Sequence, residues 1–336
     1  MRRLFWKITY ETPRMNTDTN SELNELMDQA EYFDYSSASN PLLQKLISPT
    51  PYHIFSPDFH YQKTSGILEL DLSKELKCDY PATSPSLLAN FVRIVNGSVT
   101  TKATATSQVF YVFQGSGYTE AFGKKIPWEA GDYMVFPAHG EAVHYCEGEA
   151  SFYWVHDGPL MKYLGVTATE ERFAPTLYKH SIAATKLQQI ANDPKGKLAN
   201  RVSVLLANKN FPQTRTITHT MWAMFGVLPK GAVQYPHRHE SVALDFAIDC
   251  QPGCYTMIGT ELGPDGMIVN GHRHDWVPGA SFVTPGGYWH SHHNESGADA
   301  HVLPIQDAGL HTYLRTLEIT FSHPDHDGTC HISQRP

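Results

Sequence analysis

The sequence predicts an all-β molecule, two related barrels behind an N-terminal helical extension. Three observations predict it. Short runs rich in β-branched and aromatic residues, such as SQVFYVFQ, DYMVFP and SFYWVH, are separated by Gly, Pro, Asp and Asn, the texture of antiparallel strands joined by turns. A second passage repeats that texture in WAMFGVL, VALDFAI, CYTMIGTEL, ASFVTP and AHVLPIQ. The two passages also share an order of events: a tryptophan, a glycine, a G-x5-P spacing and a histidine, in WEAGDYMVFPAHGEAVH and WVPGASFVTPGGYWH. That is a repeat at the scale of a domain.

The elements follow in order. Residues 1–64 are expected to be a helical or irregular extension, because acidic and leucine spacing over 20–47 reads as one or two amphipathic helices. The opening MRRLFWKITYETPR is basic, but Lys7 breaks its apolar run, so no signal peptide is expected and Met15 is an alternative start. Residues 65–165 read as the first barrel, 166–200 as a helical linker, 201–322 as the second barrel and 323–336 as a tail.

Composition narrows the function classes. At 336 residues, 41% hydrophobic and 18% charged, the chain reads as soluble and globular with room for two domains. A net charge of −8 without basic runs excludes nucleic acid and anionic membrane as main partners. No apolar stretch approaches the roughly 18 residues of a span. Five cysteines without secreted spacing predict a reducing, cytoplasmic setting. Cys250 and Cys254 flank a Gln-Pro-Gly turn and are expected to be structural. Of the 19 histidines, 13 follow residue 218, which puts the chemistry in the second barrel.

There the sequence supplies two spaced motifs. Gly231 opens G-x5-H-x-H with His237 and His239, and Gly279 opens G-x5-P-x-G-x2-H-x3-N with Pro285, Gly287, His290 and Asn294. Residues two apart on a strand face one side, so His237 and His239 should share the barrel interior. His290, brought back by the Gly/Pro turn, would close a three-imidazole face for one metal with positions left open. Iron, manganese, nickel and copper all accept imidazoles. Tyr235, Tyr288, Trp289 and Phe246 surround these positions in sequence and suit a planar aromatic guest, or barrel packing.

These are the two cupin motifs, and the chain resembles the gentisate 1,2-dioxygenase-like bicupins over roughly residues 95–315, in HRHESVALDF, NGHRHDWVPGASFVTPGGYWHSHHN and VFYVFQGSGYTEAF. The resemblance implies two jelly-roll barrels, Fe(II) on His237, His239 and His290, and cleavage of a hydroxylated aromatic ring with O2. It further implies a homodimer or homotetramer. Cupins commonly add a glutamate ligand after the second histidine; Ala243 and Leu244 stand there, so a three-histidine site is implied. The resemblance makes His292 an acid–base group, with Asp307 orienting it. Where the family has a carboxylate-binding arginine this chain has Asp245, which favours a hydroxyl or amine donor on the substrate. The family also carries its iron in the first barrel, whereas here the second bears the motifs.

Other readings stay open: a cupin isomerase, lyase or thiol dioxygenase could use the same histidines, and a non-catalytic bicupin could bind a small ligand. His272 and His274, beside an Asn-Gly turn, read as a surface hairpin. His323, His326, Cys330 and His331 crowd a tail without expected strand support. In the first barrel Lys102 and Thr104 fall at the H-x-H positions and His144 at the third, so no metal is expected there.

Overall fold

The computed structural model describes residues 17–138, 140–194, 199–325 and 328–334. It divides into an N-terminal unit ending at Ile47 and a second unit from Ser48. The first holds the helices Thr17–Met27 and Tyr35–Ala38, the latter capped by Asp34, whose side chain accepts from the Ser36 amide. The alternative start at Met15 lies outside the described residues. No helix among the described residues is long and apolar enough to cross a membrane.

The second unit contains both barrels. In the first, Leu88–Lys102 and Glu141–His156 pair along almost their whole length, and a register shift at Val95/Gly97 lets both strands bend around the barrel. In the second, two six-stranded sheets face each other. One runs His53–Phe55, Ser281–Thr284, Ala243–Asp249, Ala300–Gln306, Trp222–Leu228 and Val202–Leu206. The other runs His272–Asp275, Cys254–Gly259, Trp289–Asn294, Val233–Arg238, Thr320–Pro324 and Cys330–Ser333. Two segments expected to be irregular therefore contribute strands: His53–Phe55 pairs with Phe282 and its neighbours, and the tail forms a hairpin.

Packing separates the barrels by role. Phe91, Tyr111, Tyr133 and Tyr153 of the first meet Phe225, Leu244, Phe246 and Ile305 of the second in one shared core. The interior of the first barrel is filled by Phe110, Phe136, Phe152, Trp128 and Trp154. The second barrel's interior apolar cluster is smaller, including Ala247, Cys254, Phe282 and Ala300, and it buries many polar side chains as well, among them His237, His239, His290, His292, Thr256, Gln234 and Asp245.

The internal repeat is visible in hydrogen bonds. Trp128 Nε1 donates to Thr119 Oγ1 at 2.9 Å, and that hydroxyl meets His144 Nδ1 at 2.7 Å. In the second barrel Trp276 Nε1 donates to Thr256 Oγ1 at 2.8 Å, which meets His292 Nδ1 at 2.7 Å. Tryptophan and histidine keep the same interval in both copies, 128 to 144 and 276 to 292. His144 is thus the counterpart of His292, not of the third ligand position. Cross-strand pairing gives Thr101 opposite Ala142 where the second barrel has His237 opposite His290. Thr101, rather than Lys102, therefore occupies the first ligand position of the first barrel, and His144 Nε2 is bonded to its hydroxyl at 2.9 Å.

A second pair of matching contacts ties the barrels together. Asp157, at the end of the first barrel, accepts from the Thr106 and Ser107 amides at 2.7 and 3.1 Å and from Thr220 Oγ1 of the second barrel at 2.9 Å. Asp307 accepts from the Val242 amide at 2.8 Å and from Ser86 Oγ of the first barrel's leading segment at 2.5 Å. Each carboxyl thus caps its own barrel and reaches across to the other.

Buried histidines make the fold acid-sensitive. Burial pushes His144 and His156 down to about 3, and His60 and His274 down to about 4. Each stays neutral in the fold and takes a proton once unfolded. The stability this gives is full above about pH 6.5 and is lost as pH falls, at ~1.4 kcal/mol per pH unit for each histidine. Thermal melts of metal-free protein should drop steeply between about pH 6.5 and 4.5; a flat Tm over that interval would contradict these shifts.

Candidate metal centre

Val233–Arg238 and Trp289–Asn294 are antiparallel neighbours, and His237 lies opposite His290. His239 follows just beyond the strand end. The turn from the next strand closes tightly on it: the Gly287 amide donates to the His239 carbonyl at 2.7 Å, and a Cβ on Gly286 would stand 2.2 Å from the Glu240 carbonyl. Gly287 itself sits at φ +79°, a left-handed conformation suited to glycine. One ligand nitrogen from each of His237, His239 and His290 lies within 4.8 Å of the others, and all three residues are buried. Glu240 points outward, where it accepts from the Glu318 amide at 2.6 Å.

Backbone carbonyls set the ring orientation. His237 Nδ1 is bonded to the Tyr235 carbonyl at 3.2 Å, His290 Nδ1 to the Tyr288 carbonyl at 3.1 Å and His239 Nδ1 to the Ser241 carbonyl at 2.9 Å. A carbonyl only accepts, so each Nδ1 carries the hydrogen and each Nε2 keeps its lone pair. The buried His239 Nε2 has no hydrogen-bond partner. Burial, helped by neighbouring imidazoles and by Arg201, holds His237 and His290 well below the ordinary histidine range, and burial brings His239 to about 4. Three neutral nitrogen donors aimed at one place fit a divalent transition metal.

Two further groups stand around the cluster. His292 Nδ1 lies 2.7 Å from the Thr256 hydroxyl, which also accepts from Trp276 Nε1, so that one face of the imidazole is held by this pair and the Nε2 is left on the side of the cluster. Arg201, at the head of Val202–Leu206, acts electrostatically on His237, His239, His290, His292 and Asp245. Its Nε donates to Ser203 Oγ at 3.1 Å, while its buried Nη2 has no partner. Asp245 is 2% exposed and accepts from Thr284 Oγ1 at 2.9 Å. Leu244 and Phe246 beside it enter the shared core, leaving Asp245 on the opposite, interior face. Burial pushes its carboxyl up to about 6 against the pull of Arg201 and Thr284.

No protein-family model matches the chain. It is similar to gentisate 1,2-dioxygenase 1 of Aquipseudomonas alcaligenes, 28% identical over 145 residues, 42% of this chain and 38% of that protein. It is also similar to 1-hydroxy-2-naphthoate 1,2-dioxygenase of Nocardioides sp. strain KP7, 30% identical over 115 residues, 34% of this chain and 26% of that protein. The match therefore spans well under half the length of these curated relatives. The crystal structure of salicylate 1,2-dioxygenase from Pseudaminobacter salicylatoxidans superposes with a TM-score of 0.67 at 12% identity, covering 93% of this chain and 98% of that one. The chain has the bicupin fold of the gentisate dioxygenase-like proteins.

Within this bicupin several sequence expectations are corrected. Asp307 does not meet His292: it is bonded to Ser86 and Val242 and lies 3.9 Å from His311, and Thr256 holds His292 instead. Tyr235 is 42% exposed, because the bulge between Gln234 and His237 reverses the parity of that strand. Trp289 alternates with His290 and packs beneath Arg238, whose guanidinium lies 4.8 Å from its ring; it faces away from the cluster. Tyr288 is half-buried, and its carbonyl is what serves His290. His274 is buried against Phe282 at 4.5 Å, not on a surface hairpin, while His272 is exposed. In the tail, His323 and His331 stack 4.7 Å apart as a cross-strand pair, and His326 lies outside the described residues. Sequence reasoning missed Arg201, Thr256 and Trp276. The first carries no motif, and the other two are found only by matching the Trp–His interval in the two copies.

Proposed function

We propose that this bicupin is an iron(II) dioxygenase that opens the ring of an aromatic hydroxy acid. The observation that carries the reading is Arg201: a guanidinium with a buried, unpartnered Nη2 beside an imidazole cluster able to hold a metal. A substrate with a hydroxyl next to a carboxylate offers oxygen to the metal and an anion to Arg201. The similar proteins support this, since gentisate and 1-hydroxy-2-naphthoate are both hydroxylated aromatic acids. When bound, iron(II) supplies the coordination positions and the electron path between ring and O2. One ring carbon–carbon bond breaks, both oxygen atoms enter the product and the ring gives all four electrons, so no added reductant is needed.

The chain's own residues bind and orient. Arg201 takes the carboxylate, and Asp245 receives a hydroxyl or amine elsewhere on the ring. His292 presents its Nε2 toward the reacting atoms, its ring held in place by Thr256 and Trp276. The five cysteines are free, which suits a cytoplasmic setting.

Oxygen uptake by anaerobically prepared, iron-loaded protein tests the proposal, using salicylate, gentisate, 1-hydroxy-2-naphthoate and their decarboxylated analogues. Turnover of at least one acid is expected; none with any acid would sink the reading. Arg201→Met should raise KM for the acids roughly 100-fold, on the scale of losing one partner of a buried charge pair. The decarboxylated analogues should be little affected, and equal losses for both sets would assign Arg201 a purely structural role.

A further inference from the structure

The strand that brings His237 into the cluster also brings in a residue of a different kind. Were Val233–Arg238 a regular strand, His237 and Tyr235 would face inward together and Gln234 outward. The register shift between Gln234 and His237 inverts this: Gln234 pairs with His292, is 5% exposed and faces the cavity, while Tyr235 turns out. Bulges beside sites commonly re-aim a side chain in this way. The Gln234 amide nitrogen stands 3.5 Å from His237 Nε2.

That separation decides what the amide is for. It is long for a hydrogen bond, and a bound ion would take the His237 Nε2 lone pair, leaving an amide N–H nothing to donate to there. Two donors held ~2.1 Å from one ion at tetrahedral or right angles stand roughly 3.0–3.4 Å apart. Half a turn about the last torsion places the carboxamide oxygen where the nitrogen is. We propose that Gln234 is a fourth, exchangeable protein ligand of this centre, its carboxamide oxygen filling a position that neither Ala243 nor Leu244 can reach with a donor atom. A neutral amide oxygen binds more weakly than imidazole, so an incoming bidentate substrate can displace it. This inference rests on the metal reading of the three histidines.

Titration of the metal-free full chain with cobalt(II), followed by its visible ligand-field bands, separates the two. Wild type should bind cobalt, and His290→Ala should show no bands. Gln234→Ala should still bind, but about 10- to 100-fold more weakly and with shifted bands, a loss at least on the scale of an outer partner. Gln234→Glu should bind more tightly than wild type, a gain no packing role explains. Gln234→Met, which keeps the length without the amide, serves if the alanine variant fails to fold, and should match its expected weakening. Unchanged affinity and bands in Gln234→Ala or Gln234→Met would overturn the fourth ligand while leaving the histidine site standing. Absence of cobalt binding by wild type would overturn both.

Discussion

His290→Ala is expected to leave the bicupin without its metal and without turnover. His290 is the only one of the three clustered imidazoles delivered by its strand, so the pair on the other strand would be left alone with open coordination. Loss of a mere supporting hydrogen bond at a metal site costs about 10- to 100-fold in affinity; loss of a ligand should exceed that. Elemental analysis after dialysis, beside oxygen uptake, measures it. Trp289 and Ser291 flank the position on a strand that keeps its pairing with Cys254–Gly259, so the fold should survive and the melting curve of metal-free protein should shift little. A variant that kept a full equivalent of metal would move the centre elsewhere.

Asp157→Ala should be the most damaging change outside the cluster. The carboxyl serves the two amides and the Thr106 and Thr220 hydroxyls from a fully buried position. Burial pushes its pKa up, while those donors and His219 pull the other way. Alanine would strand buried donors on both barrels at ~1–3 kcal/mol each, which suggests a net loss of about 4 kcal/mol and a Tm lower by ~10 °C. Asp307→Ala should follow it at a somewhat smaller cost, since fewer donors depend on it. The Asp307→Asn variant judges the expectation that Asp307 orients His292 for catalysis. Asp307→Asn with normal melting but no turnover would restore that role; parallel losses of stability in Asp157 and Asp307 variants would settle it as a clamp between barrels.

What could be read from the sequence was whatever local spacing encodes. Two barrels, the paired motifs and the three histidines all follow from intervals along one or two adjacent strands. What could not be read depended on register or on distance. Tyr235 was misplaced because one bulge, silent in the sequence, puts Gln234 rather than Tyr235 on the face that His237 occupies. Asp307 was misassigned because its partners, Ser86 and Val242, are remote from it along the chain. Arg201 lies at the end of a linker-like stretch and joins the site only because Val202–Leu206 pairs with Trp222–Leu228 at the sheet edge. Asn270–Gly271 reads as a hairpin turn but is a bend within one arm, because Ile268–Val269 pairs with Glu261–Leu262 and His272–Asp275 with Cys254–Gly259, and the latter pairing buries His274.

The tryptophan–threonine–histidine chain has a consequence for traffic through the molecule. A proton wire needs a member at its far end that can release or accept a proton, and an indole nitrogen does neither at ordinary pH. Trp276 therefore terminates the line behind His292, so nothing can be drawn from bulk water by that route. Any proton exchanged at His292 would have to pass on the side of its other ring nitrogen, Nε2. A closed back door of this kind would leave His292 to exchange protons only on its Nε2 side, the side it shares with His237, His290 and Gln234.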